Sequence, residues 1–323
     1  MTTRGTARDY GLYAVMTSIW GASFFFTAIA LRSFNPYMIV LIRMALAAVA
    51  LGITVRVRGL AVPRDRRLLG HLALLGAFNI ALPFTLLTAA QEHVTSSMAV
   101  VLSATTPVFV FLIAGLVTRA ERFSLPRLAG VVIAFAGMAA LAGGSAGGSA
   151  GGSAGGSAIG SVAGSVAGSV GGGVWPLAVV ASSAIFAAGN VYTRTHLPHL
   201  DPAVIACGQL TAATLYLVPA TVLTGHFSVG RPELLPVLAV VELGLLASAA
   251  GYLLYFRFIL RWGSTAASVN TYLQPFVGLL LSVLVLDEAM SPRQWAALAV
   301  ILLGLLAFGF GPVLVSRARA RSR

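Results

Sequence analysis

Lysine is absent from the chain, and charge of either sign is scarce. Charged residues make up 9% of the 323 positions, against about 25% in an ordinary soluble domain, which excludes a water-soluble fold of the usual kind. The formal net charge of +12 would raise nucleic acid as a partner. Every basic residue, however, is an arginine, and the arginines lie in short clusters between apolar runs. That pattern suits anionic lipid headgroups and control of membrane topology, not a nucleic-acid-binding face. The single cysteine, Cys207, excludes an internal disulfide and has no Cys or His neighbour at metal-ligand spacing. His196 and His199 with Asp201 come nearest to a ligand group, but they fall in a short loop. There is no GxGxxG, P-loop or HExxH, and the G-x-S-x-G spelling of a nucleophile elbow occurs only in the GGSAG repeats of a low-complexity run, without the strand-to-helix context that chemistry needs. No cofactor, metal or catalytic residue is therefore expected, the chain is not read as an enzyme, and ATP-driven work would need another subunit.

What the chain has in abundance is apolar sequence: 58% of residues are hydrophobic and the mean hydropathy is +0.91. A helix needs about 20 residues to cross about 30 Å of hydrocarbon. Ten runs approach that length, at 10–30, 37–55, 68–90, 97–117, 127–142, 174–194, 203–224, 234–256, 265–286 and 293–314. Backbone polar groups must be satisfied within lipid, and no strand-like alternation is present, so the runs predict helices. The expected fold is an all-α integral membrane protein with ten transmembrane helices. Arg4 and Arg8 before the first run and an A-x-A at Ala28–Ala30 resemble a signal peptide. Retention is expected instead, because this run has a counterpart in the second half.

Sliding the chain against itself by 166 to 168 positions aligns the first five runs with the last five. Pro36 meets Pro202, Gly59 meets Gly225, Leu75-Gly76 meets Leu243-Gly244, Ser96 meets Ser264 and Pro107 meets Pro275; Glu121 and Ser124 meet Glu288 and Ser291. Between the two copies lies a ladder that begins GGSAGGSAGGSAGGS at Gly143 and continues to Gly173. The expected organisation is a five-helix unit at 1–142, a Gly/Ser/Ala linker at 143–173, and a second unit with a basic tail at 174–323. Five spans per unit is an odd number, so the copies must be inverted relative to each other. The arginines give an independent check: with both termini cytoplasmic, 17 of the 21 fall in or beside cytoplasmic segments. The ladder is then an external tether. Inverted repeats point to alternating access.

Several stretches carry a resemblance. SIWGASFFFTAIAL, the NP that precedes Arg43 by seven residues, TTP in the fourth run, RAERFSLPRLAG and its echo LDEAMSPRQWAAL resemble the EamA family of the drug/metabolite transporter superfamily. The resemblance implies ten helices around a central cavity in the plasma membrane and secondary transport of small metabolites, amino acids among them, with export as the expected direction. The alternative is a polytopic scaffold or receptor on the same fold. Phe186-Ala187 stands where the first half has Trp20-Gly21, a departure from symmetry.

Polar residues inside spans are the candidate substrate-binding groups, since burying charge in a bilayer costs a few kcal/mol or more. Arg43, seven residues past Pro36, reads either as an anchor to the interface or as a clamp for a carboxylate or phosphate. Its repeat partner is the neutral Gln209. Glu242 is the only acid well inside a run; it reads as a helix-end residue or as a carrier of a coupling proton, and its depth predicts pairing with Arg43 around a zwitterion. Pro107 and Pro275 predict kinks in the fourth and ninth helices. Thr106, Asn270, Tyr272 and Gln274 beside them, with Trp20, Asn79 and Asn190, complete the candidate set. The expected partners are a small-molecule substrate and a bilayer with anionic headgroups.

Overall fold

The computed structural model describes residues 6–94, 96–117, 128–133, 136–137, 174–227, 232–274 and 276–277, with single positions between 292 and 307. Within these the chain is helical, with no strand. Six helices are long and apolar enough to cross a membrane: α1 (Ala7–Ala30), α2 (Pro36–Val57), α3 (Arg66–Ala90), α6 (Val174–His196), α7 (Pro202–Leu223) and α8 (Leu234–Trp262). Between α3 and α6 lie two shorter helices, α4 (Ser96–Ser103) and α5 (Thr106–Leu112). After α8 the chain forms a short α9 (Ser264–Ser268) that tightens into a 3₁₀ turn at Val269–Tyr272. The ladder and most of the fifth and tenth expected spans lie outside the described residues.

The helix ends follow from local chemistry. Thr6 and Asp9 form a reciprocal capping box at the start of α1. Asn35 and Asp201 cap α2 and α7, accepting from the backbone N–H groups of Met38 (3.0 Å) and Ala203 (2.8 Å), and each is followed by a proline in the first turn, where the missing N–H costs nothing. Both helices end on a left-handed glycine, Gly59 at φ +61° and Gly225 at φ +71°. Beyond them, Leu60 and His226 donate back to Val55 and Thr221, each at 3.0 Å.

Two of the long helices are not regular throughout. α3 widens into π-helix at Gly76–Ala81 and α8 at Leu243–Ala250, a feature that apolar periodicity does not encode. These segments lie at the centre of the packing: α2 packs along α7, α7 against the π segment of α3, and α2 against the π segment of α8. A β-carbon on Gly76 would come within 2.8 Å of the Gln209 carbonyl oxygen, and one on Gly244 within 2.8 Å of the Leu46 β-carbon. The two glycines let the helices approach this closely.

The fourth expected span corrects the sequence reading. It is not one kinked helix but two pieces separated by a turn at Ala104–Thr105. Pro107 sits in the first turn of α5, where proline is tolerated, so the break lies before it. Pro275 lies outside the described residues.

Candidate functional site

Parts of α1, α2, α3, α4, α5 and α6, with the segment after α9, surround a half-open cavity with about 690 Å³ of atom-free space. Its lining extends from Trp20, midway along α1, to Gln91, just past the end of α3. Aromatic rings form its inner boundary. The Trp20 ring lies 4.7 Å from Tyr255 and 5.6 Å from Tyr252, while Phe84 lies 6.1 Å from Phe186. Trp20 is held in place because its Nε1–H donates to the carbonyl of Ala247 at 2.7 Å, inside the π segment of α8. The walls carry hydroxyls from Ser23, Thr27, Thr88, Ser103 and Thr106, and amides from Gln91 and Gln274.

Arg43 is the only charged residue among the described lining residues. It is 4% exposed; its Nε donates to Ser248 Oγ at 3.0 Å and the guanidinium carbon lies 4.8 Å from the centre of the Phe84 ring. Among the described residues the η nitrogens make no hydrogen bond, and the side chain lines the cavity. A guanidinium over an aromatic face keeps its fork of donors oriented. That arrangement can receive a carboxylate or a phosphate oxygen pair without first breaking an ion pair.

Of the residues singled out from sequence, Trp20, Arg43, Thr106 and Gln274 line this cavity. The others are placed elsewhere. Asn79 donates from Nδ2 to Gln209 Oε1 at 2.9 Å, and Gln209 donates on to Thr193 at 3.4 Å, so these amides bind the two halves of the bundle together. Asn190 donates to Tyr255 Oη at 2.9 Å, bracing the aromatic boundary from behind. Tyr272 donates to the Val131 carbonyl at 3.2 Å. Asn270 is buried with both side-chain polar atoms unpaired, and Pro107 is buried; neither lines the cavity. Arg43 and Glu242 lie within electrostatic reach of each other but make no ion-pair contact. The ion pairs among the described residues are Asp9 with Arg257 and Arg261, and Arg58 with Asp201, and Glu242 lies off the cavity with one carboxylate oxygen buried and unpartnered. Phe84 and Phe186 are missed by a search for polar residues in apolar runs, and Ser248 is passed over by one that looks for charged, amide and aromatic side chains. Phe186 alone had a signal, as the repeat counterpart of Trp20.

At the opposite end of the bundle, contacts among the described residues join the helices. Asp9, 1% exposed, meets Arg261 at 2.6 Å and Arg257 at 3.4 Å. Tyr13 donates to the Ala266 carbonyl at 3.1 Å and packs edge-on against Phe258, and Arg194 donates to the Leu260 carbonyl.

A half-open cavity within a helical bundle is the setting for the comparisons with known proteins. The sequence model of the EamA-like transporter family matches residues 10–143 and 173–310, on either side of the ladder. The chain belongs to the EamA-like transporter family. It is 27% identical to the "Uncharacterized inner membrane transporter YedA" of Escherichia coli K12, over 94% of this chain and 92% of that one. It is also 27% identical to a "Probable terminal-alkyne amino-acid exporter" of Streptantibioticus cattleyicolor, over 84% of each. A crystal structure 18% identical in sequence superposes with a TM-score of 0.74, covering 97% of this chain and 99% of the other, a likeness of fold alone. Family and relatives mark a membrane transporter and not an enzyme.

Proposed function

We propose that this EamA-like protein is a secondary transporter of two inverted five-helix units, ten helices in all, that exports amino-acid-like metabolites by alternating access. The observation that carries the reading is the buried guanidinium of Arg43, without an ion-pair contact among the described residues, in a cavity floored by Trp20, Phe84 and Phe186. Arg43 takes the substrate carboxylate, the aromatic floor takes its apolar part, and Thr106 and Gln274 supply hydrogen bonds to what remains. The exporter of terminal-alkyne amino acids among the relatives supports a substrate of this class. The two family matches flanking the ladder, the repeated cap and glycine geometry of α2 and α7, and the π segments of α3 and α8 support the two-unit architecture.

The distribution of arginines supports a topology with both termini in the cytoplasm. On that topology the cavity faces outward and the Asp9 cluster joins the helices on the inner side. The cycle then consists of opening the contacts around Asp9 and Tyr13 while the helices lining the cavity mouth close. Labelling with an impermeant methanethiosulfonate tests this orientation. In a Cys207→Ser background, cysteine at Gln91 should react in intact cells, and cysteine at Thr106 should react more slowly and be protected by an amino-acid substrate. Reaction only after lysis would overturn the orientation, and lack of protection would remove the cavity as the binding site.

A further inference from the structure

The arginines that the sequence gathers between apolar runs converge in the fold. Arg58 closes the end of α2, and Arg257 and Arg261 lie one turn apart on one face of α8. Together they line a second, open recess that shares no lining residue with the main cavity. The remaining wall is one acid, Asp201, and three apolar side chains, Pro202, Leu253 and Leu254.

The carboxylates near these arginines are already committed. Asp201 caps α7 through the Ala203 N–H and stands 4.0 Å from Arg58. Asp9 accepts from Thr6, holds Arg261 at 2.6 Å and meets Arg257 at 3.4 Å. Arg58 and Arg257 are the more loosely held, with side chains 51% and 44% exposed. Leu253 precedes Arg257 by four residues, roughly 6 Å further into the span at about 1.5 Å per residue. The recess therefore has a cationic rim at the helix ends and an apolar floor on the bilayer side.

We propose that this recess is a binding site for an anionic phospholipid. Arg58 and Arg257 hold the phosphate, the first part of an acyl chain lies on Pro202, Leu253 and Leu254, and Arg261 stays with Asp9. A free phosphate would use the arginines and leave the leucine floor without a role; a zwitterionic lipid would use the floor and gain less from three arginines facing one lining acid. The proposal is independent of the transported substrate and of which side of the membrane the recess faces.

Native mass spectrometry of the full chain in dodecylmaltoside micelles, with thermal unfolding alongside, tests it. Phosphatidylglycerol should be retained about tenfold better than phosphatidylcholine, the scale of one charge-assisted hydrogen bond, and should raise the unfolding temperature with concentration. Arg58→Gln with Arg257→Gln should abolish the preference. Leu254→Trp fills the floor with every charge intact, so it should also lower retention and keeps the test open if the double variant folds poorly. Arg32→Gln, remote from the recess, should behave as wild type. Equal retention of the two lipids, an unchanged preference in both the double variant and Leu254→Trp, or an equal thermal shift from inorganic phosphate would overturn the proposal.

Discussion

Helices α2 and α7 are built alike and used differently. Each has 22 residues, starts on an Asx-Pro cap and stops on a left-handed glycine. Each also carries a long polar side chain seven residues after its first proline, Arg43 on α2 and Gln209 on α7, and each packs against the π segment of a helix from the other half. From there the two diverge. Arg43 lines the cavity, whereas Gln209, fully buried, is spent on Asn79 and Thr193. The two helices share a frame, and the proposed chemistry sits where they differ.

The largest effect expected from breaking this comparison is at Arg43. Arg43→Gln, which makes α2 resemble α7, should weaken substrate binding by about a hundredfold, the loss of roughly 3 kcal/mol in a buried charge-assisted contact. Competition binding with a labelled amino acid measures it, and Gln209→Arg in the same background should not restore affinity, because that position does not open on the cavity.

Next come the close approaches. Gly76→Ala and Gly244→Ala should each destabilise the fold by about 1–3 kcal/mol through overpacking, read as a lower unfolding temperature in detergent. Gly76 should cost more, since its β-carbon would meet a backbone carbonyl, whereas that of Gly244 would meet the Leu46 side chain first.

A smaller effect sharpens the contrast between Arg43 and Gln209. Gln209→Leu strands the Asn79 amide and should cost about 1–2 kcal/mol, yet leave substrate affinity within twofold, and Asn79→Leu added to it should recover most of the loss. Smallest of all, Gly59→Ala and Gly225→Ala should cost about 1 kcal/mol each and equally, the penalty for a β-carbon at positive φ.

Much of the frame was legible because it is written in residues with one local meaning. Asn-Pro and Asp-Pro start helices, Gly59 and Gly225 stop them, and an arginine in an apolar run marks a site. The π segments were not legible, because their widening answers to partners from the other half of the chain. Pro107 within an apolar run signals a bend, and the helix does stop at Ser103, the residue whose carbonyl its missing N–H would have met; that the bend is a full break between two helices is not legible from the run. Asn79, Asn190 and Gln209 were read as cavity residues for a related reason. Hydropathy registers that a polar group is inside the membrane, but whether it meets a ligand or another helix depends on rotation about the helix axis. The common depth of Arg43 and Glu242 does bring the two charges within electrostatic reach, but depth alone does not decide whether they touch.

The central claim is that Arg43 in this cavity makes the chain a transporter of carboxylate-bearing metabolites. Counterflow of a labelled amino acid into liposomes containing only this protein tests it most directly, with wild type and Arg43→Gln reconstituted at equal folded amounts. The account predicts saturable flux for at least one such substrate in wild type and near-background flux in the variant. Flux unchanged by Arg43→Gln would contradict it, as would the absence of flux in wild type across the amino acids and their close analogues.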